Sequence, residues 1–332
     1  MASRSAILDG TQAAQRLHAQ LGTRAAFDRG EASRIDVFGA ATSMGALLLF
    51  RPLKGLLGAY LGKPSFPIPG IMVSTQRDLH VQRFTAAHEL GHLYLGHTPS
   101  LDEQVGLWRG ESKDAQEAAA DAFASEFMLP QWLYVHHAGR HLWEKRALER
   151  PEVTYQLSLR MGASYDATCW GLSGHKILDA SAVEKLRKHQ PKELKVAALG
   201  GRAQLTNSRA DVWVITEQDD GLALEGSPDD IVIFRCRERA SSGYLWNEAQ
   251  LAQQGFEVLS DEREQSAGED CGSEVTRVLV TRVVQPGEYT VSLREERPWL
   301  RSDSLGKLSI GLDLQGKEEG LPRSARKSMA AA

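Results

Sequence analysis

The chain is poor in the features that mark secreted, membrane and nucleic-acid-binding proteins. Only 3 cysteines occur among 332 residues, an odd number at wide spacing, which argues against a disulfide framework and a cysteine-rich metal site. The longest apolar runs, such as GALLLF at 45–50, are far below the roughly 20 residues that span a bilayer. The first residues lack the pattern of a secretory signal. We therefore expect a cytoplasmic protein without a membrane partner.

Neither sign of charge dominates the composition. The chain has 39 Lys and Arg against 43 Asp and Glu, for a net charge of −4, and the acidic excess lies after residue 200. No segment is basic enough to bind nucleic acid by charge alone. The shift in charge also indicates a domain boundary near residue 200.

Hydrophobic periodicity predicts a multidomain protein. Helical patterns mixed with short strands over 1–150 indicate an α+β domain, and short helices over 151–200 resemble a helix-turn-helix. From about residue 204 the period changes to 2, which predicts an all-β sandwich over 204–316. The small, charged residues of 317–332 predict a disordered tail.

The most informative stretch is RFTAAHELGHLYLGH at 83–97. His88 and His92 are four residues apart, so both imidazoles can face one metal ion from the same side of a helix. Glu89 lies beside them, where its carboxylate can take a proton from a metal-bound water and return one to the leaving amine. This pattern is typical of zinc peptidases but needs a third protein ligand.

The third ligand is expected on the following helix. The metzincin arrangement needs Gly and His where this sequence has Leu95 and Thr98, so that alternative fails. Glu117 is followed one turn later by Asp121 in an alanine-rich helix, and Asp121 can accept the outward N–H of a ligand histidine. His97 stays open as an alternative ligand or as a histidine beside the site.

RFTAAHELGHLYLGH followed by EAAADAFASEFMLP resembles the ImmA/IrrE family of zinc metallopeptidases over about residues 10–150. The resemblance implies a zincin-like fold and one zinc ion per chain, with metal ligands His88, His92 and Glu117, general base Glu89, and a supporting role for Asp121. It also implies an intracellular protease of narrow specificity. Members typically cleave a helix-turn-helix repressor in response to DNA damage, phage or mobile-element cues. Segment 151–200 resembles the helical segment that often follows this domain, and we favour packing or substrate recognition over DNA contact.

A second resemblance lies in the C-terminal sandwich. ASSGYLWN at 240–247 and REERPWL at 294–300 resemble the chagasin family of cysteine-protease inhibitors, which are Ig-like β-sandwiches with three binding loops. The possible partner-binding residues are Gly243, Tyr244, Trp246, Gly272, Arg297, Pro298 and Trp299. The middle loop lacks the usual glycine cluster, so we favour a recognition module over an inhibitor.

These patterns together predict an intracellular zinc-dependent endopeptidase. Its expected substrate is a regulatory protein, such as a helix-turn-helix repressor or a partner in stress response, mobile-element control or phage defence, with the sandwich as recognition or sensing module. Two alternatives remain. One is a sensing or transcription-regulatory protein with a latent peptidase domain, and the other is a cysteine-protease inhibitor acting through the sandwich.

Overall fold

A computed structural model describes residues 4–62, 66–98, 115–265 and 275–331. Residue contacts divide the chain into two compact units. The N-terminal unit comprises Met1–His136, Arg160–Ile177 and Lys317–Ala332, and the sandwich unit comprises His137–Leu159 and Leu178–Gly316. The chain thus leaves the N-terminal unit after His136, returns to it over 160–177, leaves again and returns at Lys317. The helical segment 151–200 contributes residues to both units.

The described residues form helices and strands in the following order. The helices are α1 (Arg4–Leu21), α2 (Thr23–Asp28), α3 (Val37–Ser43), α4 (Leu79–Leu95), α5 (Ala115–Met128), α6 (Gln131–Arg140), α7 (Lys145–Leu148), α8 (Pro151–Met161), α9 (Tyr165–Gly174), α10 (Ala180–Leu186), α11 (Pro191–Leu199), α12 (Ala249–Gln253) and α13 (Arg323–Ala331). The strands are β1 (Leu47–Arg51), β2 (Gly58–Leu61), β3 (Gly70–Ser74), β4 (Val212–Ile215), β5 (Ala223–Glu225), β6 (Ile231–Glu238), β7 (Leu245–Trp246), β8 (Phe256–Gln265), β9 (Val275–Val283), β10 (Glu288–Arg297) and β11 (Leu300–Asp313).

The N-terminal unit combines a small sheet with a helical core. The sheet has the order β1-β3-β2, in which β1 is parallel and β2 antiparallel to β3. α1 buries an apolar stripe, since Ala13 and Leu17 are fully buried. The helical pattern is interrupted at Gly22, whose φ of 62° lies in the left-handed region that favours glycine. The α+β prediction for this region is confirmed.

Small residues let the central helices of this unit approach closely. A Cβ atom on Gly10 of α1 would lie 2.0 Å from the carbonyl oxygen of Ala119 on α5. A Cβ on Gly91 of α4 would lie 3.2 Å from the Cα of Ala120. The alanine run of α5 is therefore explained by packing against two helices at once, because larger side chains would separate them.

The structure contradicts the predicted disorder of the tail 317–332. Gly320 forms an antiparallel bridge with Phe50 of β1, and α13 follows at Arg323–Ala331. The side chain of Gln82 on α4 donates to the Glu318 carbonyl at 3.0 Å and accepts from the Glu318 N–H at 2.8 Å. The prediction was wrong because it was made from the polar composition of the segment, whereas the segment is ordered by hydrogen bonds to distant residues and not by its own apolar content.

The sandwich unit consists of two four-stranded sheets. Their strand orders are β5-β11-β10-β7 and β4-β6-β9-β8, with mostly antiparallel pairing. The inward-facing residues form one core that includes Trp213, Phe234, Trp246, Phe256 and Leu293. The multidomain fold class, with an all-β C-terminal region, is confirmed.

The first part of α8 is attached to this sandwich through an amide side chain. Gln156 donates from Nε2 to the Val212 carbonyl and accepts from the Val214 N–H, both at 2.8 Å, as a neighbouring strand would do for β4. The hydroxyl of Tyr155 donates to Asp211 at 2.9 Å. Through these bonds the inner face of α8 packs against the sandwich.

Across the described ranges, every helix is too short or too polar to cross a lipid bilayer.

Candidate metal centre

α4 is buried along most of its length, and it carries both histidines. His88 is 1% exposed, and Glu89 and His92 are each 4% exposed, among apolar neighbours such as Ala87 and Leu90. The helix ends at Leu95 and is capped by Gly96, which has a φ of 69° and donates its N–H to the last carbonyls. Burial of three polar side chains on one helix is costly unless each finds a partner.

The partner is α5, which brings Glu117 and Asp121 to the same two histidines. Glu117 Oε2 lies 3.1 Å from His88 Nε2, and Glu117 Oε1 lies 3.2 Å from His92 Nε2. The two Nε2 atoms are 3.0 Å apart. Two imidazole nitrogens and one carboxylate from two helices therefore converge.

The geometry of this group fits a divalent metal ion. Zinc forms bonds of about 2.0–2.1 Å to imidazole nitrogen and carboxylate oxygen, so tetrahedral ligand atoms lie roughly 3.3 Å apart. Two imidazole Nε2 atoms that face each other need a proton or a cation between them, because their lone pairs otherwise repel. Within the described ranges, His88, His92 and Glu117 are the group of this kind that could hold a metal ion.

Two further side chains orient the histidine rings from behind. Asp121 Oδ1 lies 2.9 Å from His88 Nδ1, which leaves Nε2 of that ring directed at Glu117. His97 Nδ1 lies 3.0 Å from His92 Nδ1, so His97 supports a ring and does not join the group of three. Burial by itself lowers the pKa of His88, but hydrogen bonds with Asp121 and Glu117 outweigh it and raise the pKa to about 10. The site thus stabilises positive charge between the rings.

Glu89 lies on the same helix, and its carboxylate contributes to the electrostatic environment of His88. Its Oε1 atom lies against β2, only 2.8 Å from the position that a Cβ atom of Gly58 would occupy. Sequence reasoning did not single out Gly58, because nothing in the local pattern relates a strand glycine to a helix thirty residues later. Gln82, which joins α4 to the tail, was missed for the same reason.

The C-terminal loop residues fall into two groups. Trp246 is 3% exposed and belongs to the sandwich core, where its indole N–H donates to the Arg237 carbonyl. Gly243 has a φ of 79°, and a Cβ on it would lie 2.6 Å from the Trp299 ring, so two of the predicted loops touch. Trp299 is 72% exposed.

The same corner holds Arg297 and Tyr244 in a fixed arrangement. The Arg297 guanidinium lies 4.5 Å from the centre of the Tyr244 ring, and the Tyr244 hydroxyl donates to Asp303 at 2.7 Å. Pro298 is exposed in the turn between β10 and β11. Gly272 lies outside the described residues.

Comparison with known proteins gives two domain matches. Residues 41–173 match the family model described as IrrE N-terminal-like domain, which is a peptidase family. Residues 212–310 match the model described as Chagasin family peptidase inhibitor I42. Both resemblances that the sequence indicates are thereby confirmed. Among solved structures, the cysteine protease inhibitor EhICP2 from Entamoeba histolytica is similar at 23% identity, with 31% of this chain and 94% of that chain covered and a TM-score of 0.27. No curated protein matches the chain.

Proposed function

We propose that the N-terminal unit is a zinc-dependent endopeptidase. The observation that carries this proposal is the convergence of His88, His92 and Glu117 from two helices, with Glu89 adjacent on the first of them. The peptidase family match over 41–173 covers all four residues. Both histidines are buried and Glu117 is partly buried, and buried ionisable groups often stabilise a fold no better than apolar packing would, which favours a functional role for this group.

The roles of the residues follow from their positions. His88, His92 and Glu117 would hold the ion, which when bound supplies a Lewis acid that polarises a peptide carbonyl and acidifies a water. Glu89 takes the proton of the attacking water and delivers it to the nitrogen of the leaving amine. Asp121 holds the His88 ring in the tautomer that presents Nε2 to the ion.

We propose that an extended substrate binds at the β2 edge of the small sheet. β2 is an edge strand in the order β1-β3-β2, and β1 is bridged at Phe50 by Gly320. A peptide that adds to β2 gains main-chain hydrogen bonds without demanding a sequence, and side-chain pockets then supply specificity. Because Gly58 of β2 lies beside Glu89, such a peptide would pass close to the general base.

We propose a regulatory protein as the substrate, such as a helix-turn-helix repressor or a partner in stress response, mobile-element control or phage defence. The support is the IrrE-like match over 41–173, together with what the resemblance of this sequence to the ImmA/IrrE family implies, since members of that family typically cleave such a repressor. The sandwich would recognise the substrate or sense the signal. DNA contact through 151–200 is not favoured, since α8 already uses Tyr155 and Gln156 to pack on the sandwich.

We also place the protein in the reducing cytoplasm. Its two described cysteines, Cys169 and Cys236, are buried and form no disulfide bond. Burial raises the pKa of the Cys236 thiol well above its usual value, so this side chain is held as an inert thiol.

The decisive experiment measures metal and cleavage together. The purified chain is expected to contain one zinc ion. It is also expected to cleave, at a single site, a repressor that is encoded by a neighbouring gene. E89Q should keep the zinc and lose at least about 100-fold in cleavage rate, because only the base is removed. H92A should lose the zinc. Cleavage by E89Q at the native rate, or full zinc content in H92A, would overturn the assignment.

A second candidate function is protein binding through the sandwich loops, with the peptidase unit latent. The contact between Gly243 and the exposed Trp299 favours it, because rigid exposed aromatic side chains anchor interfaces. Titration against papain tests the inhibitor form of this proposal directly. W299A should abolish any inhibition without changing the zinc content.

A further inference from the structure

A glycine on the strand beside the metal helix is explained by neither turn geometry nor strand propensity. Gly58 begins β2, pairs with Val73 of β3 and is buried. Its φ is not in the left-handed region that other glycines of this chain occupy, so any residue could adopt its backbone conformation. Glycine inside a strand usually weakens it, and it often marks a close approach by another group.

The close approach comes from two side chains of α4. A Cβ atom on residue 58 would lie 2.4 Å from Thr85 Cγ2 and 2.8 Å from Glu89 Oε1, with the Met72 carbonyl oxygen at 3.1 Å. Thr85 and Glu89 are one helical turn apart, so both face β2. The missing side chain thus leaves a space that the Glu89 carboxylate partly fills.

These neighbours differ in how easily they can move. Met72 O belongs to the sheet backbone, and Thr85 is 1% exposed with a β-branched side chain that has little rotamer freedom. The Glu89 carboxylate is the end of a flexible side chain, so it is the group that would be displaced most readily. A shift of about 1 Å in a reacting group can cost about 100-fold in rate.

We propose that Gly58 is a positioning residue for Glu89: the absence of a side chain on β2 keeps the carboxylate at the place from which it serves the metal site. This inference rests on the proposed function for the role of Glu89, but the crowding on which it depends is a property of the chain without metal. Gly70, in the neighbouring strand, is the matched control. A Cβ there would meet nothing nearer than 3.7 Å, which is ordinary contact.

The crowding is tested by a double-mutant cycle on the full chain with metal removed by a chelator. Thr85→Ser is the common background, because it deletes Cγ2 and leaves Glu89 Oε1 as the nearest atom. In that background G58A should lower the melting temperature by at least about 3 °C when Glu89 is present, and by less than half as much when E89A is combined with it. G70A should give the same shift with and without E89A.

The outcomes of the cycle are distinct. Failure of G58A to fold with Glu89 present, and folding once E89A is added, is the strongest form of the expected result. Equal shifts in the two backgrounds, or failure to fold in both, would overturn the inference, since the crowding would then arise from something other than the carboxylate.

The consequence for the site is tested with cobalt as a spectroscopic substitute for zinc. E89Q should shift the pH midpoint of the visible absorption of the cobalt-loaded chain, because the carboxylate no longer interacts with the solvent ligand. G58A/T85S should bind cobalt with full stoichiometry and move the midpoint the same way by at least a third as much, whereas G70A and T85S alone should not. If E89Q shifts the midpoint and G58A/T85S does not, this inference is refuted, while the proposed role of Glu89 stands. If E89Q leaves the midpoint unchanged, the proposed role of Glu89 is refuted, and this inference with it.

Discussion

Replacement of Gln82 by leucine should destabilise the N-terminal unit far more than its size suggests. Gln82 is fully buried on α4, and its amide makes three hydrogen bonds: to the Ser74 carbonyl at 3.2 Å, and to the Glu318 carbonyl and N–H at 3.0 and 2.8 Å. Leucine fills a similar volume but leaves the Glu318 N–H and two carbonyls without these partners. Each lost bond contributes about 1 kcal/mol, and a buried orphan costs more.

The expected loss in the free energy of unfolding is therefore about 3 kcal/mol. For a unit of this size, 1 kcal/mol corresponds to a shift of about 2–4 °C, so the unit should melt about 6–12 °C lower. Differential scanning calorimetry of the full chain measures it, and the transition of the sandwich unit serves as an internal reference. Removal of residues 317–332 should produce a shift at least as large.

Gln20→Leu is the matched control for this prediction. Gln20 has the same side chain, lies on a helix of the same unit and is exposed, with a single weak contact to the Met44 sulfur at 3.8 Å. It should melt within about 1 °C of the native chain. A Q82L transition that coincides with that of Q20L would show that the tail does not stabilise α4, and the reasoning would fail.

Three further predictions concern buried or partly buried ionisable side chains. D121A should weaken zinc binding by about 10- to 100-fold in a chelator competition, because the His88 ring loses the carboxylate that orients it; an unchanged zinc affinity would contradict this role. Burial lowers the pKa of His18 to about 4 from an ordinary 6.5, so its contribution of about 3 kcal/mol is present above pH 6.5 and is lost as the pH falls towards 4. H18Q should flatten the dependence of unfolding free energy on pH over that interval, and an unchanged slope would exclude His18 as its source. Arg277 is 3% exposed and lies 3.3 Å from Glu238 and 2.7 Å from Asp261. R277M should therefore lower the free energy of unfolding of the sandwich unit by about 3 kcal/mol in urea. Equal stability of R277M and the native chain would indicate that the ion pairs offset only their own desolvation.

The candidate site was predictable to the extent that its pattern is local. The spacing of His88 and His92 places both on one helical face, whatever surrounds the helix, and Asp121 follows Glu117 by one turn for the same reason. The alternation of apolar residues after residue 204 similarly determines that strands form, because a strand exposes and buries successive side chains. The resemblance to two families extended these local patterns to an expected fold for each region.

The tail was the clearest failure of local reasoning. Residues 317–332 contain few apolar side chains, and composition alone predicts disorder. Glu318 is held by a hydrogen bond from Gln82, and Gly320 by a β-bridge to Phe50. Both partners precede the tail by more than two hundred residues. Such pairings depend on where the chain returns after the sandwich, and no local pattern encodes that return.

The candidate metal ligands, the helices that carry them and the start of the β region could all be predicted from local patterns, because helix and strand periods are properties of a few successive residues. The folded chain was needed to show that Glu117 contacts both Nε2 atoms, that His97 lies behind His92, and that Gly58 leaves space for the Glu89 carboxylate. These depend on the distance between packed elements, which is set to a few tenths of an ångström by the small residues of α4, α5 and β2.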